Sequence, residues 1–107
     1  MKIYLDDVRD TPKGWTRTYT VKETIGHLMY GKVTELSLDH DLGATDPDNT
    51  GYDVLKWMEE KMHLTGDDWF VPAAIFLHTD NPVGRERMKA ALVSIEKYRS
   101  ELKNEKS

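Results

Sequence analysis

The chain has 107 residues and a net charge of −4, from 15 basic and 19 acidic side chains. This length supports a single domain and leaves no room for a second one. Because there is no cysteine, disulfides, thiolate catalysis and cysteine-ligated zinc are excluded. No apolar run approaches the roughly 18 residues that span a bilayer, and the N-terminal segment has no apolar signal region. We therefore expect a cytoplasmic protein with no membrane partner.

The pattern of apolar residues predicts seven elements in the order β, β, α, β, α, β, α. The capping box of Thr20 and Glu23 opens the first helix, and Gly31 ends it. Asn81 caps the last helix, and residues 103–107 are expected to fray. The strands are predicted over 2–5, 16–19, 33–38 and 73–77, and the helices over 21–30, 52–62 and from Pro82 onward.

Strands that alternate with helices indicate a mostly parallel, four-stranded sheet with helices on both faces. The predicted fold class is therefore α/β, a small three-layer sandwich with three helices. The run AAIFL over 73–77 is uniformly apolar, which is typical of a strand buried on both faces. Right-handed crossovers bring the carboxyl ends of all strands to one edge, where open α/β sheets bind ligands.

Carboxylates and histidines follow three of the predicted strands. Asp6 and Asp7 end the first strand, and Asp39-His40-Asp41 end the third. Two adjacent carboxylates repel each other unless a cation or an arginine neutralises them, so the pair suggests a divalent cation or a contact with a nearby arginine. The alternative is that these acids only cap turns or are solvated.

The segment His78–Arg85 follows the last predicted strand and opens the last helix. The helix N-terminus offers free N–H groups, Gly84 allows close approach, and Arg85 supplies a fork of donors, which together suit a phosphate group. The alternative is that Asn81 only caps the helix and that Arg85 is a solvated residue of its first turn. His27 and His63 are interpreted as structural.

The acidic side chains are concentrated between residues 39 and 53, which hold five carboxylates and no lysine or arginine. Since affinity for nucleic-acid phosphates depends on clustered cations, this charge argues against binding to duplex DNA. The three tryptophans are interpreted as residues that pack in or over the core. Trp15, in the first loop, is also positioned to line a ligand site.

Six segments spread from the first predicted strand to the last predicted helix form one pattern. They are LDDVR (Leu5–Arg9), Pro12, Gly14–Trp15, SLDHDLG (Ser37–Gly43), Gly51–Val54 and HTDNPVGR (His78–Arg85). Together they resemble the cyclic-phosphate processing receiver domain family, over nearly the whole chain. The combination of SLDHDLG with the His-x-x-Asn-Pro-x-Gly segment is the more specific part.

The resemblance implies a receiver-like fold with truncated flavodoxin-like topology. By this resemblance Asp6 and Asp7 match an acid pair that holds Mg²⁺. Asp39 matches the phosphoacceptor position, and Thr79 lies near a hydroxyl position. The chain departs from an ordinary receiver because residues 8–15 are too short for a helix and no fifth strand with a terminal lysine follows. Both departures argue against aspartyl-phosphate signalling.

These residues favour a metal-dependent phosphoesterase that acts on a cyclic phosphate of a nucleotide or of an RNA end. Mg²⁺ or another divalent cation is expected on Asp6, Asp7 and Asp39. Asp39 is also expected to be catalytic, with His40 and His78 sharing the general acid and base roles. The residues expected to bind the phosphorylated substrate are Arg9, Asp41, Thr79, Asn81, Gly84 and Arg85.

Two other functions remain open at this point. A non-catalytic module that binds a cyclic nucleotide or another small phosphorylated ligand needs the same groups. An aspartyl-phosphate receiver that uses Asp39 is the less favoured alternative, because the clamping lysine is missing.

Overall fold

The computed structural model of the chain describes residues 1–40 and 50–106, with side chains up to residue 104. Within these ranges the seven predicted elements occur in the predicted order. The strands are β1 (Lys2–Leu5), β2 (Thr16–Thr18), β3 (Glu35–Leu38) and β4 (Ala74–Leu77). The helices are α1 (Val21–Met29), α2 (Gly51–Thr65) and α3 (Pro82–Lys106). The last helix thus continues into the segment that we expected to fray.

The four strands form one sheet in the order β2-β1-β3-β4, and every pair is parallel. This order is the flavodoxin-like order 2-1-3-4-5 without its fifth strand. The α/β class, the parallel four-stranded sheet, the three helices and the truncated flavodoxin-like topology are therefore confirmed. No described helix is both long enough and apolar enough to cross a membrane.

The helix ends follow local sequence signals. Thr20 Oγ1 accepts the N–H of Glu23 at 3.2 Å, which is the N-cap half of the predicted capping box, and the Glu23 carboxylate accepts the N–H of Tyr19, one residue before the cap. Gly31 has φ of 71° just past α1, a left-handed conformation that favours glycine. Asn81 Oδ1 accepts the N–H of Gly84 at 3.0 Å, so the predicted cap of α3 is also present.

All three helices pack against the same face of the sheet, whereas we expected helices on both. The apolar core joins Ile3 and Leu36 of the sheet to Leu28 of α1, Leu55 of α2 and Met88 of α3. The crossovers from β2 through α1 to β3 and from β3 through α2 to β4 step across the sheet in one direction. Right-handed crossovers that step across the sheet in the same direction place their helices on the same face. The sandwich therefore has two layers rather than three.

The prediction that the last strand is buried on both faces is wrong. β4 is the edge strand, and Phe76 at its centre is 48% exposed. Ile75 and Leu77 point to the helices and pack against the core, but within residues 1–40 and 50–106 no helix covers the opposite side of the strand. A uniformly apolar run does not distinguish a central strand from an edge strand with an apolar outer face.

The face of the sheet without helices carries the remaining alternate residues. Tyr4 of β1 lies between Arg17 of β2 and Ser37 of β3 in one row, and Phe76 of β4 completes that row. The ring of Trp15, from the loop before β2, lies 6.2 Å from the ring of Tyr4 and 6.3 Å from that of Phe76. We call this side the open face.

Candidate functional site

The strand register brings three titratable side chains together at the carboxyl edge of the sheet. Leu5, Leu38 and Leu77 form the last paired row, so that Asp6, Asp39 and His78 continue the ladder by one residue. The N–H of Asp39 donates to the carbonyl of Leu5 at 3.1 Å, and that of His78 to the carbonyl of Leu38 at 3.0 Å. One oxygen of each carboxylate and one nitrogen of the imidazole all lie within 4.8 Å of one another.

Asp6 is fully buried and held by three groups. Its Oδ1 accepts the N–H groups of Val8 and Arg9 at 2.8 and 3.0 Å, and its Oδ2 lies 3.0 Å from Nε2 of His78. Burial opposes ionisation, but these hydrogen bonds outweigh it and hold the pKa of Asp6 below its usual range. Asp6 is therefore an anion in spite of its burial.

Both ring nitrogens of His78 are engaged by the protein. Nδ1 lies 2.7 Å from Oγ of Ser37, and Nε2 faces Asp6. The ring also stacks on that of Tyr4, with centroids 4.2 Å apart and planes within 5° of parallel. Burial lowers the pKa of His78 and outweighs the opposing charges of Asp39 and Asp6. The imidazole is thus held neutral and in one orientation.

Ser37 and Tyr4 were not assigned a role from the sequence. The alternation of side chains in β3 already put Ser37 on the same side as Asp39. The sequence did not specify that β1 and β4 flank β3, and this neighbourhood is what brings Tyr4 and His78 to Ser37. The sequence therefore lacked a signal for the strand order, although the residue types themselves were visible.

Asp39 has the opposite electrostatic environment to Asp6. Burial and the nearby Asp6 charge raise the pKa of Asp39, although its carboxylate accepts hydrogen bonds from the His40 N–H at 2.8 Å and from Thr79. Two carboxylates, one of them destabilised as an anion, thus share one small space. A bound cation is the most direct way to relieve that repulsion.

Arg9 lies beside the acid pair, as the sequence suggested. Its Nε is 3.6 Å from Oδ2 of Asp6, and its Nη2 bonds to the carboxylate of Asp80. The Arg9 side chain is partly exposed, and Asp80 is almost fully exposed. The contact with Asp80 was not predicted, since it joins residues that are 71 positions apart.

His40 lies on the helix side of the sheet edge, because it is one residue beyond Asp39 in the alternation. Its ring packs on Gly84 in the first turn of α3, where an added Cβ would lie 2.4 Å from Cγ of His40. Gly51 likewise leaves space for the backbone of Asp39, whose carbonyl oxygen would lie 2.0 Å from an added Cβ. These two glycines allow the start of α2 and of α3 to approach the Asp39-His40 segment.

Thr79, Asn81 and Arg85 surround the start of α3. Thr79 is buried and bonded to Asp39, and Asn81 caps the helix. Arg85 donates from Nη1 to the carbonyls of Leu77 and Thr79 at 3.4 Å each. The structure therefore places these residues at the same edge as Asp39, with the Arg85 guanidinium against the end of β4.

Three predicted residues are not part of this group, and the first is His40, which lies on the helix side of the sheet edge against Gly84. Asp7 is partly buried, and within residues 1–40 and 50–104 its carboxylate is not among the three potential metal ligands. Asp41 lies outside the described residues, as does the acidic segment that follows it. The group that the structure brings together thus consists of Asp6, Asp39 and His78, with Arg9 and Thr79 in contact.

Comparison with known proteins gives one family. A family model described as the cyclic-phosphate processing receiver domain matches residues 1–94. No curated protein and no solved structure matches the chain. The match covers all four strands and the residues of the candidate site, in agreement with the segments that indicated the resemblance.

Proposed function

The chain belongs to the cyclic-phosphate processing receiver domain family, and on this basis we propose that it is a metal-dependent phosphoesterase. Its substrate is a cyclic phosphate on a nucleotide or at an RNA end. The observation that carries this proposal is the cluster of Asp6, Asp39 and His78 at the carboxyl edge of the sheet. The family description indicates a cyclic phosphate as the substrate, and the cluster contains side chains that suit its hydrolysis.

The donor set of the cluster fits a divalent cation. The carboxylates of Asp6 and Asp39 lie close enough for a single ion to contact both, and Asp7, the residue after Asp6, is the third predicted ligand. Mg²⁺ or Mn²⁺ is the expected ion for such oxygen ligands, and the imidazole of His78 is kept for proton transfer. When bound, such an ion supplies positive charge to the phosphoryl group and lowers the pKa of a bound water.

Hydrolysis of a cyclic phosphate needs two proton transfers. A water attacks phosphorus and loses a proton, one ring P–O bond breaks, and the leaving oxygen gains a proton to become a hydroxyl group. His40 and His78 divide these two transfers in our proposal. His78 is suited to it because it is neutral beforehand, and Asp6 stabilises the protonated ring once a proton has arrived.

The phosphate group is held by the residues around the start of α3. The positive end of the helix, opened by Asn81 and Gly84, favours an anion. Arg9 and Arg85 add positive charge for the oxygens of the transition state, and Thr79 adds a hydroxyl group. Asp41 completes the predicted substrate-binding set.

The test uses the purified chain with a 2′,3′-cyclic nucleotide, and the ring opening is followed by phosphorus NMR with Mg²⁺, with Mn²⁺ and with a chelator. We expect turnover with a metal, and a loss of roughly 10²–10⁴-fold in His78→Ala and in His40→Ala. His27→Ala is the matched control, since His27 lies in α1 away from the site and should retain full activity.

Each outcome of this experiment is informative. Equal activity in the wild type and both histidine variants would remove the histidines from the mechanism. If the bound ligand is recovered unchanged at every metal concentration, the chain is a binding module and not an esterase. Covalent labelling of Asp39 by a small phosphoryl donor, lost in Asp39→Ala, would restore the receiver interpretation.

A further inference from the structure

The open face continues directly from the candidate site. His78 stacks on Tyr4, the ring of Tyr4 contacts Trp15 edge to face, and Trp15 contacts Phe76 in the same way. Since Tyr4 and Phe76 flank Ser37 in one row of the sheet, Trp15 lies across β3 between them. An unbroken series of rings therefore leads from the imidazole of the site onto the open face.

The outer part of this series is accessible. Phe76 is 48% exposed and Trp15 partly exposed, and Tyr19, just beyond β2, is 51% exposed. Large apolar rings on a sheet face that no described helix covers indicate a contact surface, because a monomer gains nothing from leaving them in water. The rings are planar, which suits stacking with other planar groups.

Cations accompany the rings on this face. Lys2 Nζ lies 5.8 Å from the centroid of Trp15, and the guanidinium of Arg17 lies 5.4 Å from that of Tyr19. Lys2 pairs with Glu35, whereas Arg17 bonds to the hydroxyl of Thr11. In the part of the chain that the structure describes, Arg17 thus has no carboxylate within ion-pair distance. The open face is locally cationic, although the chain as a whole is acidic.

We propose that the open face binds single-stranded RNA, with the bases next to the cyclic phosphate stacked on Trp15 and Phe76. Lys2 and Arg17 then contact the phosphates of that strand. This assignment rests on the proposed function, because it takes the cyclic phosphate in the site as the 3′ end of the same strand. Stacking needs bases that are not paired, so a duplex is excluded.

Charge and continuity favour this occupant over a second copy of the chain. A two-fold dimer through the open face would set identical surfaces against each other, each carrying the cations Lys2 and Arg17 and the carboxylate Glu35, and so leave an excess of positive charge in the interface. A polyanion neutralises that charge. The aromatic series also ends at His78, so a ligand on the open face and a phosphate in the site form one continuous contact.

The test measures binding without turnover. The probe is a pentauridylate with a 5′ fluorescein and a 3′ phosphate, and the readout is fluorescence anisotropy at several salt concentrations. We expect Phe76→Ser to weaken binding by roughly tenfold, the usual effect of losing one stacked base. Phe76 is at an exposed edge position, so the variant should fold, as checked by circular dichroism.

Two controls separate stacking from other causes. Tyr30→Ser removes an aromatic side chain that is 82% exposed at the end of α1, away from the open face, and should leave binding unchanged. A pentanucleotide of the same charge with abasic sugars at its last two positions should bind the wild type roughly tenfold more weakly. Arg17→Gln should reduce the slope of log affinity against log salt concentration by about the amount that one phosphate contact contributes.

Equal affinity for the abasic and the intact probe, or for the wild type and Phe76→Ser, would overturn the proposal. A dimer in sedimentation that Phe76→Ser dissociates, without binding of the probe, would assign the face to a second copy instead. Because none of these measurements needs catalysis, an inactive protein that binds the probe would contradict only the proposed function.

Discussion

At the scale of single residues, the site places two carboxylates with opposite pKa shifts beside one imidazole. Asp6 is stabilised as an anion by backbone N–H groups, whereas Asp39 is destabilised by burial and by the charge of Asp6. A fold selected only for stability has no reason to keep Asp39 in this position. The arrangement is understandable if the charge of Asp39 serves a bound cation.

We therefore predict that Asp39→Asn stabilises the metal-free protein. An asparagine keeps the oxygen that accepts the His40 N–H but removes the repulsion with Asp6. In a chelator at neutral pH the free energy of unfolding should rise, seen as a higher midpoint of thermal unfolding. Added Mg²⁺ or Mn²⁺ should raise the midpoint of the wild type but not that of the variant.

Asp10→Asn is the matched control for this prediction, since Asp10 is an exposed carboxylate in the neighbouring loop. It should leave both the stability and the response to metal as in the wild type. A less stable Asp39→Asn protein in chelator would show that the Asp39 charge is not a source of strain.

At the scale of elements, the site depends on how closely α3 approaches the end of β3. His40 lies against Gly84 in the first turn of α3, and no larger residue fits there without a shift. The cap by Asn81 fixes where the helix begins, and the hydrogen bond from Thr79 to Asp39 ties that end of the chain to β3. The helix start and the Asp39-His40 segment therefore form one packed unit.

Gly84→Ala should disturb this unit. The added methyl group would overlap the ring of His40, so we expect a destabilisation of about 1–3 kcal/mol and a displaced imidazole. Chemical denaturation measures the first effect, and the NMR signals of the His40 ring measure the second.

Gly26→Ala makes the same change in α1, where an added Cβ meets no atom within 4 Å. It should stabilise the protein by about 0.5–1 kcal/mol, because alanine favours a helix more than glycine does. A Gly84→Ala protein as stable as Gly26→Ala, with unchanged His40 signals, would contradict the close packing.

At the scale of the whole molecule, the buried titratable groups couple the site to stability. The pKa of His78 is below its ordinary value of 6.5 and that of Asp6 below 3.8 in the folded chain. In both cases the unfolded chain binds more protons between the folded and the ordinary pKa. The contribution of each group is therefore present above its ordinary pKa and is lost as the pH falls toward its folded pKa.

The metal-free protein should lose stability in two steps as the pH falls. The first step begins near pH 6.5 with His78, and the second begins near pH 3.8 with Asp6. The raised pKa of Asp39 acts in the opposite direction, because the folded chain takes up that proton first as the pH falls toward 3.8, so part of the stability is regained before the second step begins. Thermal unfolding in a chelator between pH 8 and 5 isolates the first step, which His78→Gln should remove and His27→Gln should retain.

Most of the fold was predictable from the sequence because its signals are local. The spacing of apolar residues, the N-cap at Thr20 and the cap at Asn81 depend on neighbours within a few positions, and the structure contains all of them. The convergence of Asp6, Asp39 and His78 was predictable too, since any parallel sheet with right-handed crossovers brings its strand ends to one edge.

The sequence by itself thus determined the elements, their order and the residues at the carboxyl edge. Only the tertiary structure decided that all helices cover one face, that β4 is a half-exposed edge, and that His78 lies between Ser37 and Asp6. These features depend on which strands are neighbours. Strand order is a property of the assembled sheet, because it is set by the balance of packing over the whole domain rather than by any one segment.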